Sequence, residues 1–217
     1  EKKDCPCRKN DVEKNMEGWK KMLNDRPHIT SEAQPTSSKL GQSKGFREGQ
    51  AVLRFKSDMK HKNPAMRDFP LARINLTKHP LQQGKYRVWP LMNLVVAVDD
   101  MELGMTHIIR GKDHMDNAER QKMIFKVFKK EYPWTFFIGR IKFKDLILSK
   151  RKITEMINKG EFSGYEDERL PTIASMRKRG YKPSAFAKFA ERQGLNDVDK
   201  VMSSSEFFIL LDSFNRG

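Results

Sequence analysis

Residues 147–153 read ILSKRKI. Ser149 is followed by Lys150, Arg151 and Lys152, three adjacent cations between a stretch of alternating apolar residues and a helix-periodic one. Adjacent cations repel each other, and a polyanion would relieve that repulsion. A lysine ammonium on its flexible stem can follow a phosphate group as it moves, and a serine hydroxyl can donate to the same oxygens. The chemistry that suits this cluster is the binding of a polyanion. A solvated charge run has the same composition, and these residues alone favour that reading.

Other side chains invite chemistry less strongly. Arg110, in THIIRGKDH, ends a strand-like stretch at the carboxyl edge where α/β sheets bind ligands; a guanidinium there can fork onto a carboxylate. Pairing of Arg110 with Asp113 or Asp99 is the alternative. His107 and His114 have no third ligand, so His107 is expected to be structural. Asp99 and Asp100 resemble a carboxylate pair but are expected to be turn formers. Cys5 and Cys7 stand in CPC, too close for an easy disulfide. His28 is the nearest partner for a zinc site and is poorly spaced, so two free thiols in a reducing compartment are expected. The cluster MRKRGYK places Arg177, Lys178 and Arg179 together, as a phosphate-contacting face or a solvated surface.

Charge narrows the partners. The 217 residues carry a formal charge of +15 and a pI of about 9.8, so an acidic partner is expected, nucleic acid first and membrane surface second. No apolar run approaches the ~20 residues that span a bilayer, and no secretory signal is visible. The first residue is Glu1, which reads as a piece of a longer chain.

The elements that must position these residues follow from periodicity. Residues 10–23 read as a helix with Val12, Met16, Trp19 and Leu23 on one face and an Asn10–Glu13 capping box. Residues 30–45 are polar and aperiodic, hence a loop. Strands are expected around Leu53 and Phe55, before Leu76, at KYRVWP and at THIIRGKDH, with two more in WTFFIGRIKFKDLIL. LVVAVDD, residues 94–100, reads as a strand buried on both faces. Helices are expected over 116–130, with Met123, Ile124, Val127 and Phe128 inward, after Lys152, from Pro171 to Gly180, before Gly194, and after a Ser203–Glu206 cap.

Several of these stretches together resemble one family. ILSKRK resembles the lysine-containing signature loop of class I aminoacyl-tRNA synthetases, and ERLPTIASMRKRGY the stretch after that loop in the glutamyl/glutaminyl branch. GQAVLRFKSDMKHKNPAMRDFPLARI resembles the acceptor-stem-binding insertion of that branch, and VWPLMNLVVAVDDMELGMTHIIRGKDH the amino-acid-binding half of its nucleotide-binding fold. The nearest resemblance is to archaeal-type glutamyl members, over nearly the whole chain.

The resemblance implies an α/β fold: the second half of a Rossmann-like catalytic domain at 85–147, a mixed α+β acceptor-binding insertion at 1–84, and the signature loop with an α-helical connector at 148–217. It implies ligation of glutamate to tRNA through glutamyl-adenylate, using ATP with Mg2+ as a substrate complex and no firm protein-bound metal. Lys150 would meet the phosphate charge with Ser149; Leu148, Arg140, Ile141 and Gly111 would line the nucleotide. An ordinary surface arginine and an ordinary turn glycine compete with the last assignments. Arg110 is arginine in glutamyl members and small and neutral in glutaminyl ones; Met92 and Thr135 map to other walls of the amino-acid pocket, although glutaminyl members carry tyrosine where Met92 stands. Asp116 and Asn117 fall where an aspartate reads the acceptor-stem minor groove, a helix N-cap being the equal alternative. Partners would be the tRNA acceptor stem, glutamate and ATP, with no membrane, in a cytoplasmic monomer. The His-rich ATP-gripping loop and the anticodon-reading domain of the family are missing, so the chain alone is not expected to be a competent catalyst. A glutaminyl enzyme and a non-catalytic basic RNA-binding module are the alternatives.

Overall fold

The computed structural model describes residues 5–24 and 45–216. His28 and the expected loop at 30–44 lie outside the described residues. The chain forms two compact units, one of Glu1–His107 with Met115–Trp134, the other of Ile108–His114 with Thr135–Gly217.

The first unit begins with helix α1, Val12–Leu23. Its cap is Asp11, whose carboxylate accepts from Lys14 N–H at 2.8 Å, one residue later than the expected Asn10 box. The expected apolar face is mostly outward: Val12, Met16 and Leu23 are exposed, while Met22 is buried. Three strands follow, β1 (Val52–Arg54), β2 (Pro70–Ile74) and β3 (Val88–Pro90), in one antiparallel sheet of order β1-β2-β3. Along β1 and its continuation, half-buried Leu53 and Phe55 alternate with exposed Val52, Arg54 and Lys56, as strand periodicity demands. Phe55 stacks on Phe69 at 4.9 Å.

Residues 94–100 are not a strand. They lie within helix α2, Met92–Glu102. Asn93 and Ala97 are buried one helical turn apart, and Met101, a further turn on, packs against the core. β-branched residues disfavour helix by only a few tenths of a kcal/mol each, so packing of this stripe on α3 and β2 decides the outcome. Asp99 and Asp100 are consequently helical residues, not strand-end turn formers. Helix α3, Met115–Val127, buries Ala118, Gln121, Ile124 and Phe125, while Val127 and Phe128 stay outside. Phe69, Ala97, Ile124 and Phe125 make the core of this unit.

A buried ionic cluster ties the start of the chain to the loop before β2. Asp68 accepts from the Arg8 guanidinium and from Ser57 N–H at 2.9 Å; Arg8 Nη2 also donates to Ser57 O at 3.0 Å. Asp68 N–H donates to Ser57 Oγ, which donates to Met66 O.

The second unit holds strands β4 (His107–Gly111, counted here from Ile108) and β5 (Trp134–Ile138, from Thr135), paired with each other. Strand β6, Ile141–Phe143, pairs in parallel with β7, Lys200–Met202, in the register Ile141↔Lys200 to Phe143↔Met202. Strand β7 carries no strong period in the sequence. Between them come α4 (Lys150–Asn158), α5 (Ile173–Lys178) and α6 (Pro183–Gln193), and after them α7 (Ser204–Arg216). Gly180 and Gly194 end α5 and α6 with positive φ of 87° and 61°, a conformation that costs glycine little. The expected cap of α7 is present: Glu206 N–H donates to Ser203 Oγ, and Ser203 N–H to Glu206 Oε2 at 2.8 Å. The core here is Met176, Ala185, Phe207 and Leu211, with Phe143 and Phe189 edge-on to Phe207.

Candidate functional site

The three-cation segment sits on the amino end of α4. Ser149 is extended and occupies the N-cap, but its hydroxyl makes no bond to the helix. Lys150, Arg151 and Lys152 fill the first turn, which holds no acidic residue. This is the wrong end for cations, because the unpaired N–H groups already place positive charge there. Arg151 finds Glu155 at 3.7 Å on the same helix, an exposed pair of small value. The side chains of Lys150 and Lys152 have no ion-pair partner among the described residues. Leu148 and Ser149 are exposed beside them. The segment is held from behind. Ile153 is buried, and Thr154 Oγ1 donates to Lys150 O at 2.8 Å and meets Tyr165 Oη at 2.6 Å. Tyr165 belongs to a loop organised by Asp167, which accepts from Arg169 and from Ser163 N–H. The Arg169 guanidinium, followed by the Ser163 N–H, holds the Asp167 carboxyl far below the usual carboxylate range.

Arg140 and Gly111 converge on Asp113. Arg140 Nη2 lies 3.8 Å from Asp113 Oδ2, and a Cβ added at Gly111 would stand 2.6 Å from Asp113 Oδ1. The backbone of Arg140 is pinned on both sides, its N–H donating to Asp199 Oδ1 at 3.0 Å and its carbonyl accepting from Lys200 N–H at 2.9 Å. That N–H, against burial and helped by the charges of Lys112, Lys142 and Arg140, holds the Asp199 carboxyl below its ordinary value. Ile141 is half-buried at the start of β6. Gly139 and Asp199 were not singled out from sequence. The signal for Gly139 was a glycine inside a strand-like run, which marks a close backbone approach; Asp199 lies in the turn-rich NDVD.

Half-buried Arg110 and Thr135 are carried by the paired strands β4 and β5. Met92, half-exposed at the start of α2, belongs to the other unit. Asp116 and Asn117, also in that unit, lie inside the first turn of α3, so Asp116 is not the residue that precedes the helix. Asp116 Oδ1 accepts from Asn63 Nδ2 at 2.8 Å, and Asn117 Oδ1 from Arg120 at 3.0 Å. Asn63 was not anticipated; its role emerges only when the loop before β2 is folded against α3. Arg177, Lys178 and Arg179 are exposed at the carboxyl end of α5, where a helix favours cations. Lys178 pairs with Glu168 at 3.5 Å, and Arg179 lies 4.7 Å over the Phe208 ring.

Residues 4–213 match the family model of the class I tRNA synthetases (E and Q), catalytic domain. The chain belongs to this family. Among its relatives, the glutamate–tRNA ligases of Thermococcus kodakarensis and Pyrococcus furiosus are each 42% identical over 200 residues, 92% of this chain and 32% of theirs. That of Methanocaldococcus jannaschii is 40% identical over 206 residues, 95% of this chain and 34% of its own. This synthetase chain thus spans about a third of the length of the curated relatives it matches. It is a class I synthetase catalytic domain of mixed α/β content.

Proposed function

We propose that the chain is the interior portion of an enzyme that ligates glutamate to tRNA through a glutamyl-adenylate formed with ATP. The observation that carries this reading is the amino end of α4: an uncapped Ser149 and three cations where the helix itself is already positive. Such an end is stabilised by an anion, and the N–H groups, Ser149 and Lys150 together suit a polyphosphate. The names of the relatives support glutamate as the acid activated. In the first step a carboxylate oxygen of glutamate attacks the α-phosphorus of ATP and pyrophosphate leaves; in the second, a terminal ribose hydroxyl of tRNA takes the glutamyl group and AMP leaves. Lys150 neutralises phosphate charge as it shifts toward pyrophosphate, and Ser149 donates to the same group. Leu148, Arg140, Ile141 and Gly111 line the nucleotide.

Arg110 takes the side-chain carboxylate of glutamate by a charge-assisted fork, with Thr135 on the paired strand β5 as a further wall. Asp116 and Asn117 meet the acceptor stem, and Arg177, Lys178 and Arg179 meet its phosphates. The three-part division, 1–84 for the acceptor stem, 85–147 for the Rossmann-like half and 148–217 for the loop and connector, belongs to the same proposal, as do a monomeric state and a cytoplasmic setting. No described helix is long and apolar enough to cross a membrane. Among the described residues no three His, Cys, Asp or Glu side chains gather as metal ligands. Mg2+ would accompany ATP as its phosphate complex.

The experiment is ATP–pyrophosphate exchange by the full-length protein with tRNA present. Exchange driven by glutamate and not by glutamine is expected. Exchange driven by glutamine would transfer the reading to the glutaminyl branch, and none with either amino acid would leave a basic RNA-binding module.

A further inference from the structure

The first unit opens on a pair of thiols in one short turn. Pro6–Lys9 form a 3-10 turn capped by Cys5, and Arg8 N–H donates to Cys5 O at 3.0 Å. One helical residue separates the two cysteines, which sets their Cα atoms about 5–6 Å apart, inside the ~4.4–6.8 Å that disulfides span. An extended CPC would spread them to ~6.5–7 Å, the edge of that range. Cys5 itself is extended, with φ −61° and ψ 121°, so its side chain does not follow the helical spiral away from Cys7. The two sulfurs meet. The Cys7 S–H donates to Cys5, and this bond, ahead of burial, raises the Cys7 thiol above its ordinary value. Both thiols are free, Cys7 exposed and Cys5 half-buried.

The residue after Cys7 makes the dithiol consequential. The Arg8 guanidinium donates to Asp68 and, from Nη2, to Ser57 O at 3.0 Å. Asp68 and Ser57 are in turn tied to each other, Ser57 N–H to Asp68 Oδ1 at 2.9 Å and Asp68 N–H to Ser57 Oγ at 2.6 Å. Asp68 holds a left-handed φ of 43°, uncommon outside glycine, directly before Phe69 of the core. Arg8 is raised above its ordinary value first by the hydrogen bond to Asp68, and, against burial, by the charges of Asp68, Asp58 and Cys5. The Cys5 sulfur therefore lies within reach of the guanidinium. Arg8 joins the two groups, its N–H on the cysteine turn and its side chain on the loop before β2.

We propose that Cys5 and Cys7 are a reversible oxidation site that hydrogen peroxide closes to a disulfide, and that closure draws Arg8 off Asp68 and Ser57. One thiolate takes an oxygen from the peroxide and becomes a sulfenic acid as hydroxide leaves. The second thiol attacks that sulfur, the S–S bond forms, and the hydroxyl departs with a proton as water. Two thiols and one peroxide give one disulfide and two waters, and a free thiol reverses the step by exchange. Transient disulfides of this kind suit a reducing compartment. Bonded sulfurs stand about 2 Å apart, so the turn must tighten, and Arg8 moves with Cys7.

The test uses the full-length protein, treated with dilute hydrogen peroxide, capped with N-ethylmaleimide and digested with trypsin. The peptide DCPCR, residues 4–8, should lose both maleimide labels and weigh two hydrogens less than its unlabelled dithiol form. Dithiothreitol should restore both labels. Amide exchange over residues 55–69 should quicken by about ten- to a hundredfold on oxidation, as the charge-assisted bonds of Arg8 are lost, and return on reduction. Cys7→Ser, at an exposed position, should abolish the disulfide and leave exchange unmoved by peroxide. Arg8→Gln should exchange fast both before and after oxidation. A peptide that stays fully labelled, or that gains oxygen instead of losing hydrogen, overturns the site. So does a Cys5–Cys7 disulfide with unchanged exchange over 55–69, or the same quickening in Cys7→Ser.

Discussion

Gly139→Ala should loosen the β6–β7 pair measurably. A Cβ at Gly139 would stand 2.2 Å from Val198 O, 2.4 Å from its carbonyl carbon and 2.8 Å from Asp199 N. These are backbone atoms, so no rotamer change relieves the clash, and the 196–199 segment must retreat by about 1 Å to reach van der Waals contact. That segment is tied to the glycine itself by Gly139 N–H to Asn196 O at 2.8 Å. Overpacking of this kind costs about 1–3 kcal/mol, and losing the hydrogen bond adds about 1 kcal/mol. The sum, about 2–4 kcal/mol, corresponds to roughly 30- to 1,000-fold faster amide exchange wherever the opening exposes the pair. Hydrogen exchange read by mass spectrometry on peptides covering 139–143 and 198–202 reports it directly. Because Arg140 and Ile141 follow immediately, loss of nucleotide affinity should accompany the faster exchange. Gly18→Ala is the control: nothing lies within 4 Å of its added Cβ, and inside α1 it should stabilise by about 0.5–1 kcal/mol. If Gly139→Ala exchanges at the unmodified rate, the close approach does not hold the pair together and the argument is refuted.

Lys150→Ala in the full-length protein should slow adenylate formation far more than it weakens glutamate binding, because the charge it meets is greatest in the transition state; equal losses in single-turnover and binding measurements would make it a ground-state anchor. Arg110→Cys should remove a charge-assisted contact worth about 1.5–3 kcal/mol, lowering glutamate activation at least about tenfold and glutamine activation much less; an equal fall for both would move Arg110 from substrate recognition to support of the fold. Burial opposes the charge on Asp68, yet the Arg8 guanidinium and Ser57 N–H outweigh it and hold its carboxyl below the ordinary value. Its contribution is therefore full above about pH 4 and is lost as pH falls through the depressed folded value, so Asp68→Asn should flatten the acid limb of melts taken from about pH 5 to about pH 2, and an unchanged limb would count against the cluster. RNA binding should weaken steeply with salt, through the many Lys and Arg contacts to phosphate; a flat titration at two salt concentrations would sink the electrostatic account.

What the sequence disclosed divides along a physical line. Local rules were enough where a single residue type dictates a conformation: the glycine stops of α5 and α6, the Ser203–Glu206 cap, the alternation through β1. They failed at residues 94–100, where β-branched propensity indicated a strand and the i, i+4 stripe Asn93–Ala97–Met101 made a helix. The stripe is legible, but Val95, Val96, Ala97 and Val98 also fit a buried strand. They failed again at the inward face of α1, where a single buried residue, Met22, replaces the expected stripe. The candidate site follows the same division. Lys150 and its neighbours stand out in the sequence because adjacent cations repel one another. Asn63 beside Asp116 and Asp199 beside Arg140 are pairs brought together across more than fifty residues of chain, and no local pattern announces them. The candidate site residues that the sequence named lie at or near the ends of helices and strands, exposed or half-buried. The residues that hold them in place were set by tertiary contact: a carboxylate under an amide, a glycine against a carbonyl, an asparagine across a loop. A substitution that spares the named cations but moves Asp199 or Gly139 should therefore affect the proposed nucleotide site through the backbone of Arg140, whose N–H donates to Asp199 Oδ1 and whose carbonyl accepts from Lys200 N–H, both in the β7 segment.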